Sequence, residues 1–166
     1  MARGYGNGIE KGKERMSNHA QAIHEAQAHW EGGLSDGNGR ITGSSSGQLA
    51  EVPMTWNART GGDDTLTSPE ELLAAAHASC FSMALAYELQ GRNAAPRSLD
   101  VSARVGFDPK VGGGFEVSFS ELTVKGDVPG ISAEDFQTAV QQASEGCPIS
   151  QALKGNIQIS AEAQLS

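Results

Sequence analysis

Cysteine is scarce in this sequence, which has only Cys80 and Cys147 among 166 residues. Two cysteines are too few for a disulfide scaffold, and their separation of 67 positions excludes a CxxC redox motif and a local zinc knuckle. In a reducing compartment such a pair is more often catalytic, redox-active or simply buried than a structural bridge. The two cysteines are therefore the first candidates for a functional site.

Basic charge and long apolar runs are also scarce. The chain has 12 Lys and Arg residues against 20 Asp and Glu residues, a net charge of −8, and the basic residues do not cluster outside the N-terminus. This balance argues against nucleic acid as a partner, because affinity for phosphates depends on clustered Lys and Arg. No run approaches the roughly 18 apolar residues of a membrane span, and no apolar segment follows the N-terminal basic residues. We expect a cytoplasmic protein without a membrane partner.

The composition is that of one domain with an extension. Hydrophobic residues make up 38% of the chain, which is adequate for a core. Residues 1–20 are rich in glycine and charge without an apolar period, so we expect a disordered extension in which Met16 is an alternative start. Residues 21–166 are expected to form the folded domain.

The order of predicted elements indicates an α+β fold. Alternating segments between residues 21 and 58 predict an antiparallel meander, and RTGGDDTLT (59–67) is typical of a mobile connector. A long helix over 67–91 follows, and then a hairpin whose strands flank DPKVGGG (108–114). A second helix over 132–146, a helical turn in CPISQALKG and a last strand in NIQISAEAQL complete the chain.

The long helix carries a clear start signal. Ser68 is the predicted N-cap, Pro69 takes the first helical position, and Glu71 has the spacing of a capping box. Small or apolar side chains surround the helix almost completely, which predicts that it is buried. These side chains are Leu72, Leu73, Ala75, Ala76, Ala78, Phe81, Met83, Leu85 and Leu89.

The two cysteines have contrasting settings. Cys80 lies in the middle of the long helix, where a small buried thiol is the ordinary interpretation of a single cysteine. Cys147 follows Gly146, which ends a helix, and precedes Pro148. This setting predicts the first turn of a new helix, where the helix dipole lowers the thiol pKa and the sulfur is exposed.

The histidines give weaker signals. His77 precedes Cys80 by three residues on the same helical face, so it is a candidate ligand, a base as in Cys–His hydrolases, or a residue that packs or tunes. His19, His24 and His29 are expected at the surface. We expect no metal site, because only three soft ligands are available and their spacing matches no known motif.

The most specific signals are three segments, namely NARTGG, TSPEELLAAAHASCFSMAL and SEGCPISQAL. Through them the chain closely resembles the OsmC/Ohr family, and in particular its OsmC branch. The likeness runs from Gln27 to the C-terminus. It implies a thiol-dependent peroxidase that reduces organic hydroperoxides in oxidative or osmotic stress defence. It also implies an intertwined homodimer whose antiparallel sheets surround long central helices.

When the family's site residues are matched motif by motif, the resemblance implies that Cys80 is the peroxidatic cysteine and Cys147 the resolving cysteine. Arg59 and Glu70 are then the residues that assist them. The chemistry suits these residue types, because a thiolate attacks the O–O bond and a permanently charged arginine depresses the thiol pKa and holds the peroxide oxygens. The sulfenic acid then condenses with the second thiol, and an external thiol or dithiol, such as a lipoyl group, reopens the disulfide. No bound cofactor is implied.

Two other interpretations stay open: a non-catalytic, stress-associated dimer with buried cysteines, and, ranked last, a Cys80–His77 hydrolase, for which no oxyanion-hole glycine motif is visible. For the peroxidase, apolar residues such as Phe81 and Met83 are expected to favour organic hydroperoxides over hydrogen peroxide. Glu70 lies ten residues before Cys80, about 15 Å along a helix. A site containing both therefore requires Glu70 from a second subunit.

Overall fold

A computed structural model describes residues 20–166 of the chain. The predicted extension, with Met16 and His19, lies outside the described residues except for its last position, Ala20. The described chain forms two three-stranded sheets and four helices, so the predicted α+β class is confirmed. The elements in chain order are β1 (Ala26–Glu31), β2 (Asn38–Ser44), β3 (Val52–Met54), α1 (Trp56–Arg59), α2 (Pro69–Gly91), β4 (Ser98–Pro109), β5 (Phe115–Asp127), α3 (Ala133–Gly146), α4 (Pro148–Leu153) and β6 (Gln158–Leu165).

The first sheet is the predicted antiparallel meander, in the order β1-β2-β3. β1 pairs with β2 through a register irregularity between Gln27 and Ala28, and β2 pairs with β3. All six residues of β1 are exposed, His29 among them as predicted, and His24 just before the strand is exposed too. The isolated chain therefore leaves most of this strand uncovered.

The start of α2 follows the sequence signal closely. The Ser68 hydroxyl accepts a hydrogen bond from the Glu71 amide N–H at 3.1 Å, and Pro69 occupies the first turn. The Glu71 carboxylate accepts a 2.6 Å hydrogen bond from the Thr67 hydroxyl. The helix ends at Gly91, as predicted, and Asn93 then takes a positive φ of 57°, which an asparagine tolerates better than most residues.

The second sheet combines the predicted hairpin with a parallel strand. β4 and β5 pair antiparallel around a turn in which Gly112, Gly113 and Gly114 all have positive φ angles. β6 pairs with β5 in parallel, which corrects the expectation of purely antiparallel sheets. A parallel partner requires a crossover connection, and α3 and α4 supply it.

The core lies between the second sheet, α2 and α3. Phe81, Leu85 and Leu89 are fully buried, and their four-residue spacing places them on one face of α2. They pack with buried side chains of β5, α3 and the adjoining loops, namely Leu122, Val124, Val128, Phe136, Ala139, Val140, Ala143 and Cys147. This packing fixes the middle of α2 against the end of α3.

The opposite face of α2 is open, which corrects the prediction of a helix buried on all sides. Met83 and Tyr87 are 67% and 76% exposed. By length and composition α2 is also apolar enough to cross a membrane, which corrects the expectation that no segment of the chain is. Only 22% of its apolar window is buried, on the face that packs in the core. Its exposed apolar side chains form the kind of surface that protein interfaces cover.

Candidate active site

The fold brings the two cysteines into contact. Cys80 lies in the middle of α2 and Cys147 at the junction of α3 and α4, and their Sγ atoms are 3.2 Å apart. The Cys147 amide N–H donates to the carbonyl of Ala143 at 2.8 Å, and the Cys147 carbonyl accepts from the Gln151 amide N–H at 3.0 Å. Cys147 is thus held by the last turn of one helix and the first turn of the next. Both thiols are free.

The two thiols differ in accessibility. Cys147 is 0% exposed, so the prediction that its sulfur is exposed was wrong. Cys80 is partly exposed and lines a groove of about 400 Å³ on the open face of α2. Only Cys80 can therefore meet a molecule that enters from solvent. The groove is lined by Cys80, Met83, Ala84, Tyr87, Glu88, Gly146 and Pro148.

The apolar wall of this groove is only partly the predicted one. Met83 lies in the groove, as expected. Phe81 is fully buried on the opposite face of α2, so it contributes to the core and not to the groove. Tyr87 takes its place beside Met83 as a large exposed side chain.

The pKa values of the two thiols shift in opposite directions. Burial raises the pKa of Cys80, and the neighbouring Cys147 raises it further. Burial also raises the pKa of Cys147, but hydrogen bonds from the Ser150 amide, the Cys80 thiol, the Ser150 hydroxyl and the Ile149 amide outweigh it, so the pKa of Cys147 lies below its usual value. The predicted lowering at Cys147 is confirmed. A hydrogen bond from the Ile149 amide lowers the pKa of Cys80 in part, but the pKa still lies above its usual value.

Helix α4 explains the lowered pKa of Cys147. Cys147 is the N-cap residue of α4 and accepts no capping hydrogen bond through its side chain, because a neutral thiol is a weak acceptor. When the sulfur is ionised, the nearby amide and hydroxyl donors of the first turn favour it. The donors therefore stabilise the thiolate and not the thiol.

Arg59 and Glu70 form a second constellation. Nη2 of Arg59 donates to Oε1 of Glu70 at 2.8 Å, and Nε of Arg59 lies 3.2 Å from both carboxylate oxygens. Glu70 is only 7% exposed, while 34% of the Arg59 side chain remains exposed. A buried carboxylate depends on such a partner. The pair therefore fixes the guanidinium while part of it still reaches solvent.

The short helix α1 positions Arg59. The sequence indicated a strand up to residue 58, but β3 ends at Met54 and a helix follows. The Thr55 hydroxyl caps this helix by accepting from the Ala58 amide N–H at 3.1 Å. Gly61 then turns the chain toward α2 with a φ of 81°, a conformation that glycine adopts readily.

An aromatic cluster that was not predicted from the sequence lies beside Arg59. Phe107 and Phe115 stack with centroids 5.1 Å apart, and Trp56 meets both edge-on. The Arg59 Cζ atom lies 4.3 Å from the centroid of Phe107, within the range of a cation–π contact. Arg59, Glu70, Phe107 and Phe115 together line a groove of about 490 Å³. Phe107 and Phe115 lie on the two strands of the predicted hairpin, but Trp56 is about 50 positions earlier, so no local pattern joined the three.

The thiol pair and the ion pair do not meet within one chain. Helix α2 runs without interruption from Pro69 to Gly91, so Glu70 and Cys80 are separated by ten residues. At 1.5 Å per residue this is about 15 Å along the axis. The structure of a single chain therefore contains two half-sites, one with the sulfurs and one with the guanidinium.

His77 has partners that sequence reasoning did not identify. Its Nδ1 atom lies 2.7 Å from the Ser120 hydroxyl and its Nε2 atom 2.8 Å from the Ser150 hydroxyl. His77 is fully buried, and burial lowers the pKa of its imidazole. Neither ring nitrogen hydrogen-bonds Cys80 in the described part of the chain, which argues against a Cys80–His77 hydrolase. Within residues 20–166, no three His, Cys, Asp or Glu side chains are arranged as metal ligands.

Sequence comparisons place the chain in a known family. The family model described as OsmC-like protein matches residues 61–162. Peroxiredoxin OsmC from Escherichia coli (strain K12) is 44% identical over 136 residues, which cover 81% of this chain and 93% of that protein. The organic hydroperoxide resistance protein from Xanthomonas axonopodis pv. citri (strain 306) is 37% identical over 100 residues, which cover 60% and 66%.

Solved structures share the fold. The organic hydroperoxide resistance protein from Elizabethkingia anophelis matches with a TM-score of 0.69 and 28% identity, covering 89% of this chain and 100% of that one. The organic hydroperoxide resistance protein OhrB of Bacillus subtilis matches with a TM-score of 0.65 and 29% identity, covering 84% and 98%. The family-model match extends over more than half of the sequence and includes both cysteines. The chain therefore belongs to the OsmC-like protein family.

Proposed function

We propose that this protein is a cysteine-based peroxidase that reduces organic hydroperoxides to alcohols in oxidative or osmotic stress defence. The names of its relatives, peroxiredoxin and organic hydroperoxide resistance protein, support a peroxidase-type function. The observation that carries the finer proposal is the pair of free thiols 3.2 Å apart, one of which opens into an apolar groove.

Accessibility supports the proposed roles of the two cysteines. Cys80 lines the groove and Cys147 is fully buried behind it, so the peroxide reaches Cys80 first. The Cys80 thiolate attacks one oxygen of the peroxide, the O–O bond breaks, and the departing alkoxide takes up a proton to become the alcohol. Cys80 is thereby oxidised to a sulfenic acid.

Cys147 then resolves the sulfenic acid. Its sulfur attacks the Cys80 sulfur, the S–S bond forms, the S–O bond breaks, and the oxygen leaves as water after protonation. The 3.2 Å separation means that this step needs only small side-chain movements. An external thiol or dithiol then reduces the disulfide and regenerates both thiols. A lipoyl dithiol is one candidate for this reductant.

The peroxidatic thiolate requires a cation that the lone chain does not bring to it. Burial raises the pKa of Cys80, and Arg59 is tied to Glu70 at the far end of α2. We propose that two chains form a homodimer in which the Arg59–Glu70 half-site of one faces the Cys80 half-site of the other. A two-fold axis that sets the two α2 helices in opposite directions can place the Glu70 end of one helix beside the middle of the other.

A steady-state peroxidase assay tests this proposal directly. We expect consumption of an alkyl hydroperoxide that depends on a thiol or dithiol reductant, compared among lipoyl, thioredoxin and glutathione donors. Loss of turnover in the Cys80→Ser variant is expected under every donor. A non-catalytic dimer with buried thiols would consume no hydroperoxide, and a hydrolase would release acyl products instead.

A further inference from the structure

We propose that His77 is a positioning residue that, through Ser150, directs a hydroxyl hydrogen toward the sulfur of Cys147 and so prepares this cysteine to close the disulfide. The inference rests on the proposed function, since it concerns the resolving step. It assigns a role to a buried histidine that otherwise takes no part in the peroxidase chemistry.

Three buried side chains form a continuous polar path into the core. Ser120 on β5 lies 2.7 Å from Nδ1 of His77, and Ser150 on α4 lies 2.8 Å from Nε2. Their exposed fractions are 0% for Ser120, 0% for His77 and 3% for Ser150. A polar path this deep is costly unless every group is satisfied. The path ends at Ser150 in the first turn of α4, the helix whose N-cap is Cys147, and the Ser150 hydroxyl favours the Cys147 thiolate.

The direction of the hydrogen bonds follows from the charge at the end of the path. A thiolate accepts only, so the Ser150 hydroxyl donates to Cys147 and must itself accept from His77. His77 is then the neutral tautomer with its proton on Nε2, and Nδ1 accepts from the Ser120 hydroxyl. Every donor along the path points toward the sulfur, and such aligned hydrogen bonds strengthen one another.

Exposed charges lie near the α4 end of this path, because Glu145 and Lys154 line a groove of about 260 Å³ together with Ser150. Among the titratable groups, Cys80 contacts Cys147 directly and His77 reaches Ser150, while β5 presents the Ser120 hydroxyl to His77. Glu145, at the end of α3, is exposed, and Glu88 lies in the groove with Cys80. The donors that stabilise a Cys147 thiolate are therefore the α4 amides, the Cys80 thiol and the Ser150 hydroxyl.

The first experiment measures the titration of Cys147 alone. In a Cys80→Ser background Cys147 is the single thiol, and the ultraviolet absorbance of its thiolate reports its pKa without any peroxidase activity. Ser150→Ala is expected to lower the thiolate fraction about tenfold at a pH below the pKa, the effect of losing one hydrogen bond to a charged group. Ser79→Ala, which removes a hydroxyl bonded to the Ala76 carbonyl, is the control and leaves the titration unchanged.

Two amide replacements at position 77 distinguish hydrogen bonding along the polar path from a packing role of His77. The Nε atom of His77→Gln reaches the position of imidazole Nε2 and donates to Ser150, so the Cys147 titration is retained. The shorter side chain of His77→Asn reaches only toward Ser120, so the thiolate fraction falls. In a Ser150→Ala background the Asn and Gln variants become equivalent. An unchanged titration in Ser150→Ala, or equal titrations of the Asn and Gln variants with Ser150 present, would overturn the proposal.

The second experiment follows disulfide closure after one oxidation, with both cysteines present. A higher pKa leaves less thiolate but makes it more nucleophilic. Ser150→Ala is therefore expected to close the disulfide about threefold more slowly than the parent below the Cys147 pKa and about threefold faster above it. If Ser150→Ala slows disulfide closure at every pH, the defect is structural, and the proposed role of the polar path is contradicted. If the parent reduces no hydroperoxide, the proposed function fails, while the titration still decides the role of His77.

Discussion

Glu70 and Cys80 lie on one uninterrupted helix, ten residues and about 15 Å apart along its axis. Glu70 binds Arg59 at one end of α2, and Cys80 contacts Cys147 at its middle. A peroxidase needs a cation near its thiolate, so this separation makes subunit sharing the main structural consequence of the proposed function.

Mixing two inactive variants tests the shared site. Cys80→Ser and Glu70→Gln are each expected to be inactive as homodimers. After subunit exchange in equal amounts, half of the dimers are mixed, and each has one intact pairing of Cys80 with Glu70. About a quarter of the parent activity should return. Exchange demonstrated by mass, with no recovery of activity, would mean that both residues act within one chain or that Glu70 serves only the helix start.

Substitutions of the two cysteines are expected to stop the reaction at different steps. Cys80→Ser should consume no hydroperoxide, because the buried Cys147 cannot meet the substrate. Cys147→Ser should consume one equivalent and then over-oxidise at Cys80 with further peroxide, because no thiol captures the sulfenic acid. Mass spectrometry of both variants checks this. The reverse pattern, with the first oxidation lost in Cys147→Ser, would exchange the assigned roles.

Substrate preference should depend on the apolar groove. Burying the tail of an alkyl hydroperoxide adds about 0.8 kcal/mol per methylene, so its kcat/KM should exceed that of hydrogen peroxide. Met83→Gln keeps the length of the side chain but makes the wall polar, and it should lower kcat/KM for the alkyl substrate only. Val111→Gln, at a fully exposed turn position, is the matched control. Equal efficiencies for the two peroxides in the parent would exclude an apolar pocket.

The sequence predicted those features that depend on neighbouring residues. The cap of α2 at Ser68 and the hairpin around the Gly112–Gly114 turn follow from local chemistry. Helix α1 was missed because four residues show no period. The sequence did not show that Phe81 is buried and Met83 is exposed. Helix α2 is apolar on all sides, and only its contacts with the sheet select the buried face.

Contacts between residues that are distant in the chain could not be predicted from the sequence. His77 meets Ser120 and Ser150, which are 43 and 73 positions away, and serines are too common to mark such partners. The parallel pairing of β6 likewise depends on the path of α3 and α4 and not on the pattern within the strand. The proximity of the two cysteines was implied by the family resemblance and could not be deduced from their spacing.

Stability should depend on pH through His77. Burial lowers the pKa of its imidazole below the ordinary value of 6.5, so the unfolded chain binds a proton that the folded chain does not. Stability is therefore full above pH 6.5 and is lost as the pH falls below it, at no more than about 1.4 kcal/mol per pH unit. Urea unfolding at several pH values checks this. The His77→Gln variant should lose less stability on acidification, and an equal loss in both proteins would contradict the assignment to His77.

The most direct measurement is the number of free thiols per chain before and after one equivalent of an alkyl hydroperoxide. The fully reduced protein should show two thiols under denaturing conditions. After the reaction it should show none, with one alcohol formed per chain and a disulfide between Cys80 and Cys147 in the peptide map. Two free thiols remaining, with the hydroperoxide unconsumed, would contradict the peroxidase function.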